Sequence, residues 1–482
     1  MQFNTYIFIL AFLPLTIIGY FLLGKFNWTV SKIFLVISSI FFYGYAGLQE
    51  LIWLMISMVV NYIFIIMFRK ITKSRKIILL VGIAFNIILL FYFKYYNFTI
   101  LSVNRLFDKN FSEKNILLPL GISFFTFQQI AYLVESYKDE TKKDSLLDYV
   151  LYVVYFPKLL MGPITSSRFL LKQFHNEKKR EIQGDNLIKG IRMFNIGLFK
   201  KVLIADTFAK AVQWGFADIA SKTSMDIILI MIAYSFQIYF DFSGYSDMAN
   251  GSSLMLNIEL PINFDSPYKA FSIRDFWRRW HISLTTFLTQ YIYIPLGGNK
   301  KGRLRTYINT MIVFTISGLW HGANWTFILW GILHGALSVW DRITEKLRVK
   351  MHPAMQWILT MGAISLLWLL FRAESISQWT SMLFHMLAFE NTNISGELIN
   401  IFVLPEMNFW IEILHLQVLN SQIRGFSMLV FYVSAMIICL GFENTYKRKY
   451  ENKIWSPILS AVLFVCSLTC ISSESVFVYF NF

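Results

Sequence analysis

Charge and cysteine are scarce in this chain. Only 15% of its 482 residues are Asp, Glu, Lys or Arg, and the 29 acidic residues are outnumbered by 44 basic ones. The three cysteines, Cys439, Cys466 and Cys470, are too few for a disulfide framework or a four-thiolate metal site. All lie in C-terminal apolar runs and read as packing residues. No His-Glu-x-x-His pair, Cys-x-x-Cys pair or Gly-x-Ser-x-Gly elbow occurs, which argues against a zinc protease or a serine hydrolase of the usual designs. No low-complexity linker divides the chain, and the two related halves expected of many secondary transporters are not visible. No stretch outside the apolar runs exceeds roughly sixty residues, whereas independent domains usually need about 50 to 200. Residues 1–482 therefore read as one integral membrane domain without a separate soluble module.

What is abundant is apolar surface. Hydrophobic residues make up 56% of the chain and aromatics 18%, with mean hydropathy +0.51, more than a soluble core of this size can bury. The expectation is an all-α polytopic membrane protein. The net charge of +15 punctuates the apolar runs instead of forming a basic stripe, so it reads as juxtamembrane charge and not as nucleic-acid binding. The first 25 residues lack a basic residue before Lys25 and a small-residue cleavage site, so they read as a retained span. Met1 outside, Lys25 at the cytoplasmic end and the basic RKITKSRK at 69–76 in the cytoplasm satisfy the positive-inside rule together. Beyond the hairpin at 30–47 and 50–68, apolar runs near 77–97, 118–136, 147–163, 188–213, 226–246, 306–319, 322–340, 355–372, 426–443 and 456–472 suggest eleven to thirteen spanning or re-entrant helices. LPLGISFFTFQQ (118–129) and YFPKLLMGPIT (155–165) are broken by Gly and Pro. They are either buried irregular or cavity-lining segments or plain kinked helices.

Three polar constellations interrupt this pattern. In YSFQIYFDFSGYSDMANG, Gln237 and Asp241 are four apart and share a helical face, with Ser243, Ser246 and Asp247 nearby. These groups either serve function or bond to neighbouring helices, Asp247 leaning to the latter. Between residues 246 and 306 lies the longest stretch that does not look transmembrane. There Arg274, Arg278 and Arg279 alternate with Phe276, Trp277 and Trp280, a composition suited to the headgroup boundary. The arginines read most simply as an interfacial anchor and alternatively as a phosphate site for an acyl-coenzyme A donor. Finally His281, His321 and His334 each lie near a Trp, in or beside apolar sequence. An imidazole at such depth is either a satisfied buried group or a working one. His321 and His334 are thirteen residues apart; one straight helix would place them about 20 Å and roughly 140° apart, so they could not share a metal ion.

Four motifs in order, YFDFSGYSDMA, RDFWRRWHISL, YIYIPLGGNKKG and GLWHGANWTFILWGILHG, resemble the membrane-bound O-acyltransferase (MBOAT) family. The likeness is to the bacterial branch of alginate, peptidoglycan and cellulose O-acetylation membrane proteins, and runs from about 118 to 341, with LPLGISFFTFQQIAY and YFPKLLMGPI included. The resemblance implies an MBOAT-like fold around a central catalytic pore, in the cell membrane. It implies that His321 is the principal catalytic histidine and His281 a second functional one. Asn324, Asp241, Trp320, Arg278 and Arg279 are supporting or substrate-binding candidates. His334 belongs to the motif but leans to a structural role, while His175, His352, His385 and His415 have no motif around them. No metal or bound cofactor is expected; acetyl-CoA or a similar thioester is the implied donor. A secreted or membrane-anchored SGNH-type acyltransferase/esterase is the implied partner, and a polysaccharide the final acceptor. D-alanyl transfer to teichoic acid, the role of a sister group, is the alternative, as is a non-enzymatic transporter or assembly scaffold. Chemically, acyl transfer to a hydroxyl needs a base and oxyanion donors. Desolvation keeps an imidazole neutral and able to accept a proton, and Asn324, on the face of His321 if the helix continues, is placed to orient that base or polarise a carbonyl.

Overall fold

The computed structural model describes residues 1–71, 73–141, 143–403, 412–414, 419–447, 455–471 and 477. Every regular element among them is a helix. Among the described residues, six helices are long and apolar enough to cross a membrane: Phe8–Phe26, Leu48–Lys70, Arg75–Phe107, Ser224–Met255, Pro353–Arg372 and Gln422–Gly441. Two shorter apolar helices, Trp28–Gly44 and Ser456–Thr469, accompany them. The protein is all-α and polytopic. Other apolar runs also fold as helices, including Gly302–His321 and Trp325–Ile343, at hydropathy diluted by Gly, His and hydroxyl residues.

The helices group into two compact units. The first comprises Met1–Leu198, Tyr245–Ile262 and Tyr450–Leu468. In it Leu48–Lys70 and Arg75–Leu90 are joined by a reciprocal pair of buried amides: Asn86 Nδ2 donates to Asn61 Oδ1 at 2.7 Å and Asn61 Nδ2 to Asn86 Oδ1 at 3.2 Å. In an apolar medium such a pair holds helices together where hydrophobicity alone gives no driving force. The Gly/Pro-broken segment 155–165 is buried throughout, one helical turn at Phe156–Leu159 followed by irregular chain, the condition under which non-helical backbone persists at membrane depth. Its turn packs against the Pro119–Gly121 turn, where Gly121 has φ +69° and a Cβ would lie 3.0 Å from the Leu160 carbonyl. Lys158 is fully buried here and donates to Gln128 Oε1 at 2.8 Å.

The second unit comprises Phe199–Gly244, Asn263–Lys449 and Thr469–Phe482. Its centre is the helical hairpin Gly302–His321 and Trp325–Ile343. A Cβ on Gly318 would lie 2.2 Å from the Phe327 carbonyl oxygen, and one on Gly331 would lie 2.4 Å from that of Phe314. Glycine at both positions therefore lets the two backbones touch, which larger residues would forbid. The first helix ends at His321, Gly322 is extended, and Asn324 starts the next by accepting from the Thr326 N–H at 3.1 Å. Ile273–Arg279 and Pro353–Arg372 pack on the second arm.

Candidate active site

The hairpin brings together what a straight helix would separate. His321 and His334 stand on opposite arms with the Trp330 indole between them, ring centroids 5.2 Å and 4.6 Å away. Trp320 lies 5.0 Å from His321 and 6.0 Å from His281. His334 in turn meets Trp277 at 5.0 Å, and the Trp277 Nε1–H donates to His334 Nδ1 at 3.3 Å. A continuous series of rings thus runs His281, Trp320, His321, Trp330, His334, Trp277. Phe371 and Trp368, from Pro353–Arg372, close it from another side, Phe371 at 5.2 Å from His321. His281, His321 and His334 are all buried.

His281 owes its place to a break in the backbone. Helix Ile273–Arg279 stops, Trp280 is extended, His281 adopts φ 44°, ψ 53°, and Ile282–Leu288 begins again. A left-handed conformation is costly for a non-glycine residue and persists where the surroundings hold it. Asn263 supplies the hold: its carbonyl accepts from the Ile282 N–H at 2.9 Å and its Oδ1 from the Ser283 hydroxyl at 2.6 Å. The Arg279 carbonyl adds a bond from the Asp265 N–H at 2.9 Å. The imidazole sits edge-on to Phe242, centroids 4.7 Å apart. Neither ring nitrogen has a partner from another residue among the described residues. Burial pushes its pKa from the ordinary value down to about 3, because desolvation disfavours the cation. His281 is a neutral imidazole at physiological pH.

Beside the series lies a cavity of about 330 Å³. Trp277, Phe314, Ser317, Arg274, Arg278 and Arg342 are among the residues that line it; Ser317 is one helical turn before His321. The arginines are not equivalent. Arg274 is bound by Asp341 at 2.9 Å and Glu345 at 3.0 Å, and Asp341 also holds Arg348 at 2.7 Å. Arg279 does not line the cavity: its Nε bonds Asp275 at 3.0 Å and its Nη1 the Asp265 carbonyl at 3.3 Å. Arg278 and Arg342 have no acidic partner among the described residues and are the uncommitted cations of this wall.

Other expected residues are used differently. Asn324 does not continue the face of His321, because the helix has ended; with Oδ1 on the cap and Nδ2 donating to the Glu374 carbonyl at 2.9 Å, it fixes the hairpin turn. Asp241 is bound to the buried Lys201 Nζ at 2.6 Å, and Asp206 binds the same ammonium at 2.9 Å. This is the pairing that a carboxylate at depth requires, with the lysine coming from a π-helical turn at Lys200–Ala205. His175 pairs with Asp148 at 3.2 Å, His352 caps Pro353–Arg372, and His385 lies in Ile376–Ala388. His415 lies outside the described residues. Sequence reasoning missed Arg342, Lys201 and Asn263. An uncommitted Arg one position after a twice-bridged Asp gives no periodic signal, and the other two are read only through partners forty and twenty residues away.

Buried imidazoles in an aromatic setting, one helical turn from a guanidinium-lined cavity and carried by a polytopic helical protein, suit one class: an enzyme that transfers a small group within the membrane. Residues 35–376 match the model of MBOAT, membrane-bound O-acyltransferase family, and the chain belongs to that family. It is an O-acyltransferase and a multi-pass protein of the cell membrane. Over its whole length it is 38% identical to a peptidoglycan O-acetyltransferase of Helicobacter pylori, covering 97% of that protein. It is 36% identical to a probable alginate O-acetylase, AlgI, of Pseudomonas aeruginosa, over 82% of this chain and 76% of that one. A teichoic acid D-alanyltransferase of Bacillus subtilis is 28% identical over 52% of this chain and 66% of its own.

Proposed function

We propose that this enzyme carries an acetyl group from a cytoplasmic thioester donor to an extracytoplasmic acceptor, for O-acetylation of a cell-wall or extracellular polysaccharide. The observation that carries the reading is the placement of buried His321 in an aromatic cluster one turn from the arginine-lined cavity. The donor, acetyl-CoA or a similar phosphopantetheine thioester, enters that cavity with phosphate on Arg278 and Arg342, for which guanidinium is the preferred partner. His321 acts as base. As the acceptor oxygen attacks the acetyl carbonyl, its proton passes to the imidazole; the C–S bond then breaks and the proton leaves with the thiolate as thiol. The dipole of the helix favours the transient positive charge on a histidine in its last turn. His281 is the second functional histidine, serving the donor side.

The acceptor at this site is a hydroxyl of a separate SGNH-type transferase, which passes the acetyl group on to the glycan. A polymer strand is too bulky to thread to a buried histidine, whereas one side chain reaches it. The test supplies labelled acetyl thioester to purified protein with and without the partner. Thioester cleavage that needs His321, and polymer labelling that needs the partner, support the relay; polymer labelling without the partner rules it out. D-alanyl thioester in the same assay decides between acyl groups. The cytoplasmic donor side follows from the charge at 69–76, and a Lys73→Cys variant labelled from the outer face would overturn it.

A further inference from the structure

In this structure Trp277 belongs both to the cavity wall and to His334. Its indole N–H donates to His334 Nδ1 at 3.3 Å, and a nitrogen that accepts a hydrogen bond carries no proton. His334 is therefore neutral, with its one ring proton on Nε2, and Nε2 has no partner among the described residues. The ring is fully buried. The rings packed on it are uncharged: Trp277 at 5.0 Å from Ile273–Arg279, Phe314 at 6.4 Å from Gly302–His321, Trp330 at 4.6 Å on its own helix, and Trp368 at 6.2 Å from Pro353–Arg372. The charged groups of those elements lie elsewhere. Arg274 and Asp341 are paired with each other, Arg278 and Arg342 line the cavity, Arg279 is held by Asp275, Arg303 is exposed, Arg305 bonds the Leu296 carbonyl, and Arg372 lies over the Phe216 ring. Through these rings His334 reaches His321, on the far side of Trp330, and Tyr268, which hydrogen-bonds Trp368.

We propose that Trp277 and His334 form a positioning pair for the acyl transfer described above, on which this inference rests. The indole N–H holds His334 in the neutral Nε2–H tautomer. The neutral ring in turn holds Trp330 against His321 without adding a positive charge of its own, which favours transfer of the acceptor proton to His321. Because the same indole lines the cavity, a donor seated there presses on the pair, and the state of the base is tied to occupancy of the donor site. His334 thus acts through His321 and touches no reacting atom.

Nitrogen-15 NMR of histidine-labelled protein reads the tautomer directly and independently of turnover, with His334→Phe assigning the resonance. Wild type is expected to show His334 Nδ1 as pyridine-like and Nε2 as pyrrole-like, and Trp277→Phe, which keeps the ring and removes the donor, to lose that pattern. In thioester turnover, Trp277→Phe and His334→Phe are each expected to lower kcat about tenfold or more, with donor KM changed less than about threefold. The acid limb of the Trp277→Phe profile should move upward in pH as His334 becomes able to protonate. His334→Gln, whose amide oxygen accepts from the indole and which carries no titratable proton, should recover most of kcat without that shift. An unchanged tautomer in Trp277→Phe, or wild-type kcat in His334→Phe, overturns the pair. Equal losses in Gln and Phe variants, with an unmoved pH profile, reduce it to packing and overturn it also. If wild type cleaves no thioester while the tautomer behaves as described, it is the transferase reading that has failed, not the pair.

Discussion

Helix Leu48–Lys70, in the first unit, and the Gly302–Ile343 region, in the second, are both helical and rich in aliphatic and aromatic residues, yet they are built for different surroundings. Only 33% of the most apolar window of Leu48–Lys70 is buried in protein, and Ile52, Val59 and Ile63 are each more than half exposed. Their apolar faces suit lipid, so shape matters little and one amide pair supplies the specificity. The hairpin carries Gly, His, Trp and Ser, its histidines are buried, and its backbones meet at Gly318 and Gly331. Its polar groups are enclosed by protein and its geometry is demanding. Hydropathy finds the first kind of helix easily and understates the second, although the chemistry is in the second.

The comparison is broken most severely at His321. His321→Ala is expected to lower acyl transfer by at least about a hundredfold, within the range for losing a general base, while expression and membrane insertion stay intact; wild-type turnover would sink the assignment. Gly318→Ala comes next. Its methyl group cannot fit against the Phe327 carbonyl, so the hairpin must open, at a cost of about 1–3 kcal/mol in stability and with loss of activity, measured by thermal unfolding in detergent and by turnover.

A third effect depends on pH. His281 has a folded pKa of about 3 against an ordinary 6.5, so below pH 6.5 the unfolded chain binds a proton that the folded one does not. The stability associated with the neutral ring is complete above about pH 6.5 and is lost as pH falls toward 3. At pH 5 the loss is about 2 kcal/mol. His281→Gln should therefore show a smaller drop in melting temperature between pH 7.5 and pH 5 than wild type; an equal drop would show that His281 is not the group responsible. Fourth, Arg278→Gln and Arg342→Gln should each raise KM about tenfold for a phosphate-bearing thioester, the worth of one charge-assisted contact, and leave a phosphate-free thioester of the same acyl group unaffected. The smallest effect belongs to the lipid-facing helix: Ile63→Leu should change stability by less than about 1 kcal/mol, and a larger change would mean that this face is covered by protein.

Much of the candidate site was legible because its residues lie close together in the chain. His321 and Trp320 share a motif, and the family resemblance rests on continuous segments. Asn324 and Arg279 were read less well for a local reason: both sit at or beside helix ends, where backbone and neighbouring carboxylates claim the side chain first. Asp241 was left open by its sequence because its cation, Lys201, is forty residues earlier. Arg342 and the Trp277–His334 bond were out of reach, since neither follows from the spacing along one helix.

By itself, the sequence determined that the chain is helical and lies in the membrane, because apolar content and run length admit no other way of satisfying the backbone in lipid. It also marked the histidines as unusual, since imidazole at depth is costly whatever its neighbours. Which histidines meet, which arginines remain free and which carboxylate is neutralised were decided by the tertiary structure. Those outcomes depend on the closest approach of helices, set here by two glycines facing two carbonyls, and on competition among partners far apart in the chain. Neither quantity is a property of any local stretch of residues.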